Sequence, residues 1–334
     1  MNRKNGIDLF RLVASFFIIC LHTSYGNLNK EIVDDLRLLS RWALPFFFIT
    51  TGFFLGYKIE NNTLDFKNIQ KNVSLLISIL IISSIVCLPI DIVKGNMSIG
   101  VSNILTGLHA HLWFIGSLLI GYIFIWYLFF IKRNNYLPYI SIGILLLALF
   151  SDSYDQVFGK NIDFELARFL LSIPLMYIGI ILAKKENVFN SISNILLIGL
   201  VIAGIAIQFI EAQLLFKYFN YDKFNHQFLL GTIIIAIPLF ILSTKINTEE
   251  NVLTKWGKEY SLFVYLYHPL TLAVMTVIFK FTPNSFDFIR WFSPVIAFTL
   301  TLTFSIILNK FFPKIYNIMN GNIANKTALN SLPH

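Results

Sequence analysis

The feature that most limits how this chain folds is a series of apolar stretches, each close to the length of a membrane span, separated by short breaks rich in charge, Gly, Asn or Pro. They fall near 7–26, 40–57, 72–93, 112–131, 136–151, 166–183, 191–209, 227–244, 261–279 and 288–309. About 20 apolar residues in a helix cross the hydrocarbon of a bilayer, where every backbone N–H and C=O must be paired internally. Ten such runs in 334 residues leave no room for a soluble domain of ordinary size. The expected fold class is therefore an all-α integral membrane protein, a bundle of about ten transmembrane helices. A hydrophobic content of 56% with only 13% charged residues excludes an ordinary soluble domain.

Lys and Arg concentrate in the N-terminal end, the even-numbered connections and the C-terminal tail, whereas Asp and Glu lean toward the odd-numbered connections. The positive-inside rule then predicts N-in/C-in topology, which needs an even number of spans. The same distribution explains the net charge of +8 without nucleic acid as a partner. Membrane lipids are the expected surroundings of residues 1–312, and 313–334 read as a polar, disordered cytoplasmic tail. Cys20 and Cys87 lie within apolar runs, where a thiol acts as a small hydrophobe. Arg3 and Lys4 ahead of an apolar run look like a signal peptide, but no small-residue cleavage site follows and the run contains Arg11. No repeat of solenoid length, Gly-rich phosphate loop or Gly-x-Ser-x-Gly elbow is present.

The first span carries Asp8, Arg11 and His22 in otherwise apolar sequence. Eleven residues are about three helical turns, so Arg11 and His22 share a face within roughly 20° and stand ~16 Å apart along the axis. Asp8 joins that face at i, i+3. Each ionisable group at the bilayer centre costs roughly 2.5–3.5 kcal/mol on insertion scales, so the stripe marks a functional element that other helices surround. Further polar groups stand at span ends. Arg41 opens the second span ahead of Pro45 and Gly52, and His109-Ala110-His111-Leu112-Trp113 opens the fourth. The His-x-His pair has no third ligand at a metal-binding spacing, so no metal is expected. The connection with Asp152, Asp155, Asp163 and Glu165 reads as a solvated loop from which Arg168 snorkels to the surface. His226 heads the eighth span, and His268 lies inside the ninth beside Pro269.

Together these residues resemble the membrane-bound acyltransferase 3 family. The resemblance rests on Arg11 with His22, Pro45-Phe46-Phe47-Phe48 leading to Thr51-Gly52-Phe53, His111-Leu112-Trp113-Phe114, and Ser261-Leu262-Phe263-Val264-Tyr265-Leu266-Tyr267-His268-Pro269, in that order. It implies transfer of an acyl group, usually acetyl, from cytoplasmic acetyl-CoA or another acyl-CoA to a hydroxyl of a cell-envelope carbohydrate or lipid-linked sugar, in the bacterial cell membrane. The expected form is the one without a C-terminal hydrolase-like domain. Imidazole is the side chain whose ordinary pKa lies nearest neutrality, which makes His22 the expected general base. Arg11 stays protonated and is expected to orient the site or to contact a coenzyme A phosphate. His111 is expected to assist at the acceptor side and His268 to anchor the donor, with Arg41, Trp113 and Arg168 around the acceptor. Some members carry Arg-x-Arg in the first inner loop; this chain offers Lys67 and Lys71, the expected donor contacts there. The alternative is a transporter or exporter of a small amino acid or polysaccharide, because buried Arg and His also line substrate paths.

Overall fold

The computed structural model describes residues 4–322, apart from 24, 26–28, 62–64, 95–106, 159–163 and 282–288. The main helices are α1 (Asn5–His22), α2 (Lys30–Ser40), α3 (Ala43–Glu60), α4 (Phe66–Lys94), α5 (Trp113–Phe130), α6 (Leu137–Ser151) and α7 (Phe164–Leu170). They continue with α8 (Ser172–Lys184), α9 (Asn194–Phe219), α10 (Leu230–Lys245), α11 (Val252–Lys280), α12 (Ser293–Phe311) and α13 (Pro313–Met319). Among the described residues there is no strand. Among the described residues, nine stretches are long and apolar enough to cross a membrane and α10 is a shorter apolar helix, so each of the ten expected spans has a helical counterpart. The chain is a multi-pass membrane protein with an all-α bundle fold.

Four departures from the expected layout have local causes. The connection 27–39 contains α2, which Asn29 caps by accepting the Glu31 N–H at 2.9 Å, and which buries Val33, Asp34 and Leu38. The sixth span is broken between α7 and α8. Ser117 of α5 donates to the Phe169 carbonyl at 2.8 Å and accepts the Ser172 N–H at 3.3 Å, which pairs backbone groups at the break. The ninth span starts early because Asn251 and Thr254 form a capping box at the head of α11. Finally, the segment after Pro313, expected as a disordered tail, forms α13. Tyr316 donates to the Glu259 carbonyl at 2.5 Å, and the Met319 carbonyl accepts from Tyr267 at 2.7 Å; residues 323–334 lie outside the described part.

Small residues let the central helices approach closely. A Cβ on Gly52 would collide with the Met176 backbone, and one on Gly179 with the Ile49 carbonyl, so α3 and α8 pack backbone to backbone. Gly257 plays that part between α11 and the Asp8 carbonyl of α1. The first helix is thus enclosed by α11, α3, α10 and α12, as its ionisable stripe required. Asp8 is buried and ion-paired with Arg11 at 3.2 Å.

Candidate active site

A proline organises the centre of the site. Pro269 has no N–H, so the Tyr265 carbonyl one turn earlier loses its helical donor. His268 fills the gap, its Nδ1 standing 2.8 Å from that carbonyl, and His111 Nε2 reaches the Leu266 carbonyl at 2.9 Å. A carbonyl only accepts, so both contacting nitrogens carry the proton. The opposite nitrogens, His268 Nε2 and His111 Nδ1, are left as bare acceptors, buried and without a hydrogen-bond partner among the described residues. His111 is held further by its own carbonyl, which accepts from the Tyr265 hydroxyl at 2.5 Å.

His22, the last residue of α1, completes the cluster. Its ring centroid is 5.3 Å from that of His268, and His268 is 5.6 Å from His111. Unlike the other two, His22 presents exposed surface, and that surface faces cavities. One cavity of about 260 Å³ is lined by His22, His111, Arg41, Trp113, Arg168 and Tyr265, with Asn225 and Gln227 closing it. A second, of about 200 Å³, is lined by His22, Thr23, His109, His111, Thr276 and Ser293 together with Pro269, Leu272, Met275 and Phe279. His22 and His111 belong to both walls.

The break between α7 and α8 places Arg168 in the first cavity. Its guanidinium lies over the Trp113 ring, 4.4 Å from the centroid, and pairs with Glu165 at 2.8 Å. The expected solvated loop with a snorkelling arginine is therefore corrected: Arg168 faces the cavity, and Asp152 is buried at 3% exposure. Asp152 Oδ2 accepts the Phe228 N–H at 2.6 Å, the Gln227 N–H at 2.8 Å and the Ser153 hydroxyl at 3.1 Å. It thereby holds the segment that carries Gln227 and Phe228 to the cavity wall. Burial pushes its carboxyl up to about 6, against those hydrogen bonds and the nearby Arg41. His226 beside it is fully buried and burial pushes it down to about 4.

Of the residues expected from sequence, His22, His111, Arg41, Trp113 and Arg168 line one cavity, and His268 stands against two of them. Arg11 lines neither cavity and pairs with Asp8. Lys67 and Lys71 do not join the group. They stand exposed at the start of α4, whereas the cluster meets the other end of α4, where Asp91 holds His109 Nδ1 at 2.7 Å. Twenty or more residues of helix separate them, about 30 Å at 1.5 Å per residue. A pantetheine arm, about four extended residue lengths, spans roughly 14 Å. The length of α4 thus sets these lysines well beyond one such arm from the end that meets the imidazoles. Sequence reasoning missed Asp91, Asp152 and Tyr265. Asp91 carried the signal that singled out Asp8, an acid within an apolar run. Among the described residues, no group of three His, Cys, Asp or Glu is arranged to hold a metal.

A family model described as "Acyltransferase domain" matches residues 4–310. Two curated relatives from Enterococcus faecalis, each named "Amino-acid racemase", are similar. One is 24% identical over 317 residues, 84% of this chain and 43% of that protein. The other is 31% identical over 161 residues, 45% of this chain and 22% of that protein. A "Serine/alanine racemase" of Enterococcus gallinarum is 21% identical over 298 residues, 81% of this chain and 41% of its own. This chain thus spans less than half the length of these relatives. No solved structure matches it.

Proposed function

The chain belongs to the acyltransferase-domain family, and from that premise we propose that it transfers an acyl group, acetyl in the simplest case, from acyl-coenzyme A to a hydroxyl of a cell-envelope glycan or lipid-linked sugar. The observation that carries this reading is the convergence of three imidazoles where two cavities meet, two of them with a bare nitrogen fixed by hydrogen bonding of the other. Acyl transfer to a hydroxyl needs a base for the O–H proton as oxygen attacks the thioester carbon, and an acid for the departing thiolate. His22 is the proposed base because, of the two imidazoles that line both cavities, it is the one with exposed surface. The new C–O bond forms, the C–S bond breaks, and the proton passes from hydroxyl to imidazole to sulfur. His111 accepts a hydrogen bond at Nδ1 from the acceptor, and His268 holds the His22 ring.

Arg11 stands ~16 Å below His22 along α1, close to one pantetheine arm. It serves as the contact for the donor's phosphate end, with Asp8 fixing its fork. In the N-in/C-in topology of a cell-membrane protein, that places the nucleotide end toward the cytoplasm and the imidazoles toward the outer half of the bilayer. The rival reading, carriage of a small amino acid or polysaccharide, leaves its substrate covalently unchanged. The two are separated by comparing ester-linked acyl groups on envelope polysaccharides of cells with and without the gene. Loss of an ester on deletion, restored by the wild-type gene, is expected. An unchanged ester content with altered uptake or export would favour the carrier.

A further inference from the structure

We infer that the arginine-walled cavity selects an acceptor that carries an anionic group, carboxylate or phosphate, a few ångströms from the hydroxyl that is acylated; this rests on the acyl-transfer reading. Arg41 comes from the turn between α2 and α3 and Arg168 from α7, so two guanidiniums reach one small cavity from different parts of the fold. Among the described residues of its wall there is no Asp or Glu. Of the carboxylates nearby, Glu165, more than half exposed, pairs with Arg168, and Asp152 Oδ2 accepts from the backbone of Gln227 and Phe228. Asn225 and Gln227 add amides suited to sugar hydroxyls.

Planar guanidinium forks match carboxylate and phosphate in two parallel hydrogen bonds. Stacking on Trp113 fixes the Arg168 plane and leaves its edge for a ligand. The donor's own phosphates do not suit this place. Arg41 and Arg168 share a cavity with His22 and His111, whereas the phosphates of coenzyme A lie roughly 14 Å from its thioester. The anion held here therefore belongs to the acceptor.

The test uses the purified full chain in lipid nanodiscs, titrated with glucuronate, glucose 6-phosphate and glucose while thermal unfolding is followed. We expect saturable stabilisation by glucuronate, glucose 6-phosphate or both at millimolar concentration, and none by glucose. The two anionic arms tell a carboxylate-bearing acceptor from a phosphorylated one. Arg168→Gln is expected to weaken the anion's apparent affinity by about tenfold or more, Arg168→Lys less, and the surface change Lys310→Gln not at all. Equal stabilisation by glucose, no response to either anion, or an anion response that survives in both Arg168→Gln and Arg41→Gln would overturn the inference. The fate of the acyl-transfer reading is read separately. Anion binding that depends on Arg168 in a chain that neither binds nor consumes acetyl-CoA leaves the anion site standing and removes the acyltransferase. Acetyl-CoA-dependent acylation with no preference for anions does the reverse.

Discussion

The two cavities that meet at His22 and His111 differ in what they offer a ligand. One presents the guanidiniums of Arg41 and Arg168 and the amides of Asn225 and Gln227; the other has no arginine or lysine in its described wall and sets Thr23, His109, Thr276 and Ser293 among Pro269, Leu272, Met275 and Phe279. An anionic acceptor needs cationic hydrogen-bond donors, whereas an acyl group needs none. The proposed acyl transfer then puts the acceptor on the arginine side and the acyl group on the other. It also makes the shared histidines the place where bonds change.

That contrast breaks most sharply at the shared wall. His111→Ala is expected to lower turnover by about a hundredfold, because it removes the acceptor's partner. His109→Ala and Asp91→Asn, which act from the edge, are expected to lower it only several-fold. Equal losses for His109 and His111, measured as initial rates at matched protein abundance, would move the reacting centre into the second cavity. Pro269→Ala comes next. The new N–H at 269 competes with His268 for the Tyr265 carbonyl, releasing the imidazole's fixed orientation. A loss of roughly tenfold in turnover is expected, with thermal stability unchanged or raised. Full activity would show that the proline only shapes the helix. Arg11→Lys sharpens the donor side. A few-fold rise in the Michaelis constant for acetyl-CoA is expected, exceeding the loss in turnover, because a point charge replaces a planar fork. A change confined to the acceptor's constant would detach Arg11 from the donor.

The smallest expected effect tests the segment that closes the acceptor cavity. Asp152 is raised to about 6, so its stability contribution is full below its unfolded value and is lost as pH rises through about 6. His226 is lowered to about 4, so its contribution is full above its unfolded value and is lost as pH falls through about 4. Over the acidic range between them the two slopes oppose each other. Asp152→Asn should leave a stability that rises with pH there, and His226→Gln one that falls, read as unfolding midpoints in detergent across that range. Parallel slopes in both variants would show that these groups do not titrate as their burial requires.

How much of this was visible in the sequence follows from the kind of signal each part leaves. Ten apolar runs announce ten helices because a span must be long and continuous. The ionisable stripe of α1 announced enclosure for a similar reason: charge in hydrocarbon needs company. His22, His111 and His268 were legible as polar groups in apolar surroundings, but their convergence depends on how α1, α5 and α11 pack, which no local pattern records. The break that turns Arg168 inward was hidden because apolar residues continue across it. Asp152 looked solvated among other acids, and only the approach of residues 227 and 228 from 75 and more positions away buries it. The separation of Lys67 and Lys71 from the imidazoles was not legible either, because it is a property of the whole length of α4.

The most direct measurement is the movement of labelled acetyl from acetyl-CoA to an alkali-labile ester on envelope acceptor, by the purified chain in nanodiscs and by His22→Ala with an unchanged unfolding midpoint. The imidazole cluster as reacting centre predicts ester formation by the wild-type chain and a loss of at least about a hundredfold in His22→Ala. Ester formation at the wild-type rate by well-folded His22→Ala, or acceptor carried across the membrane with no ester formed, would contradict it.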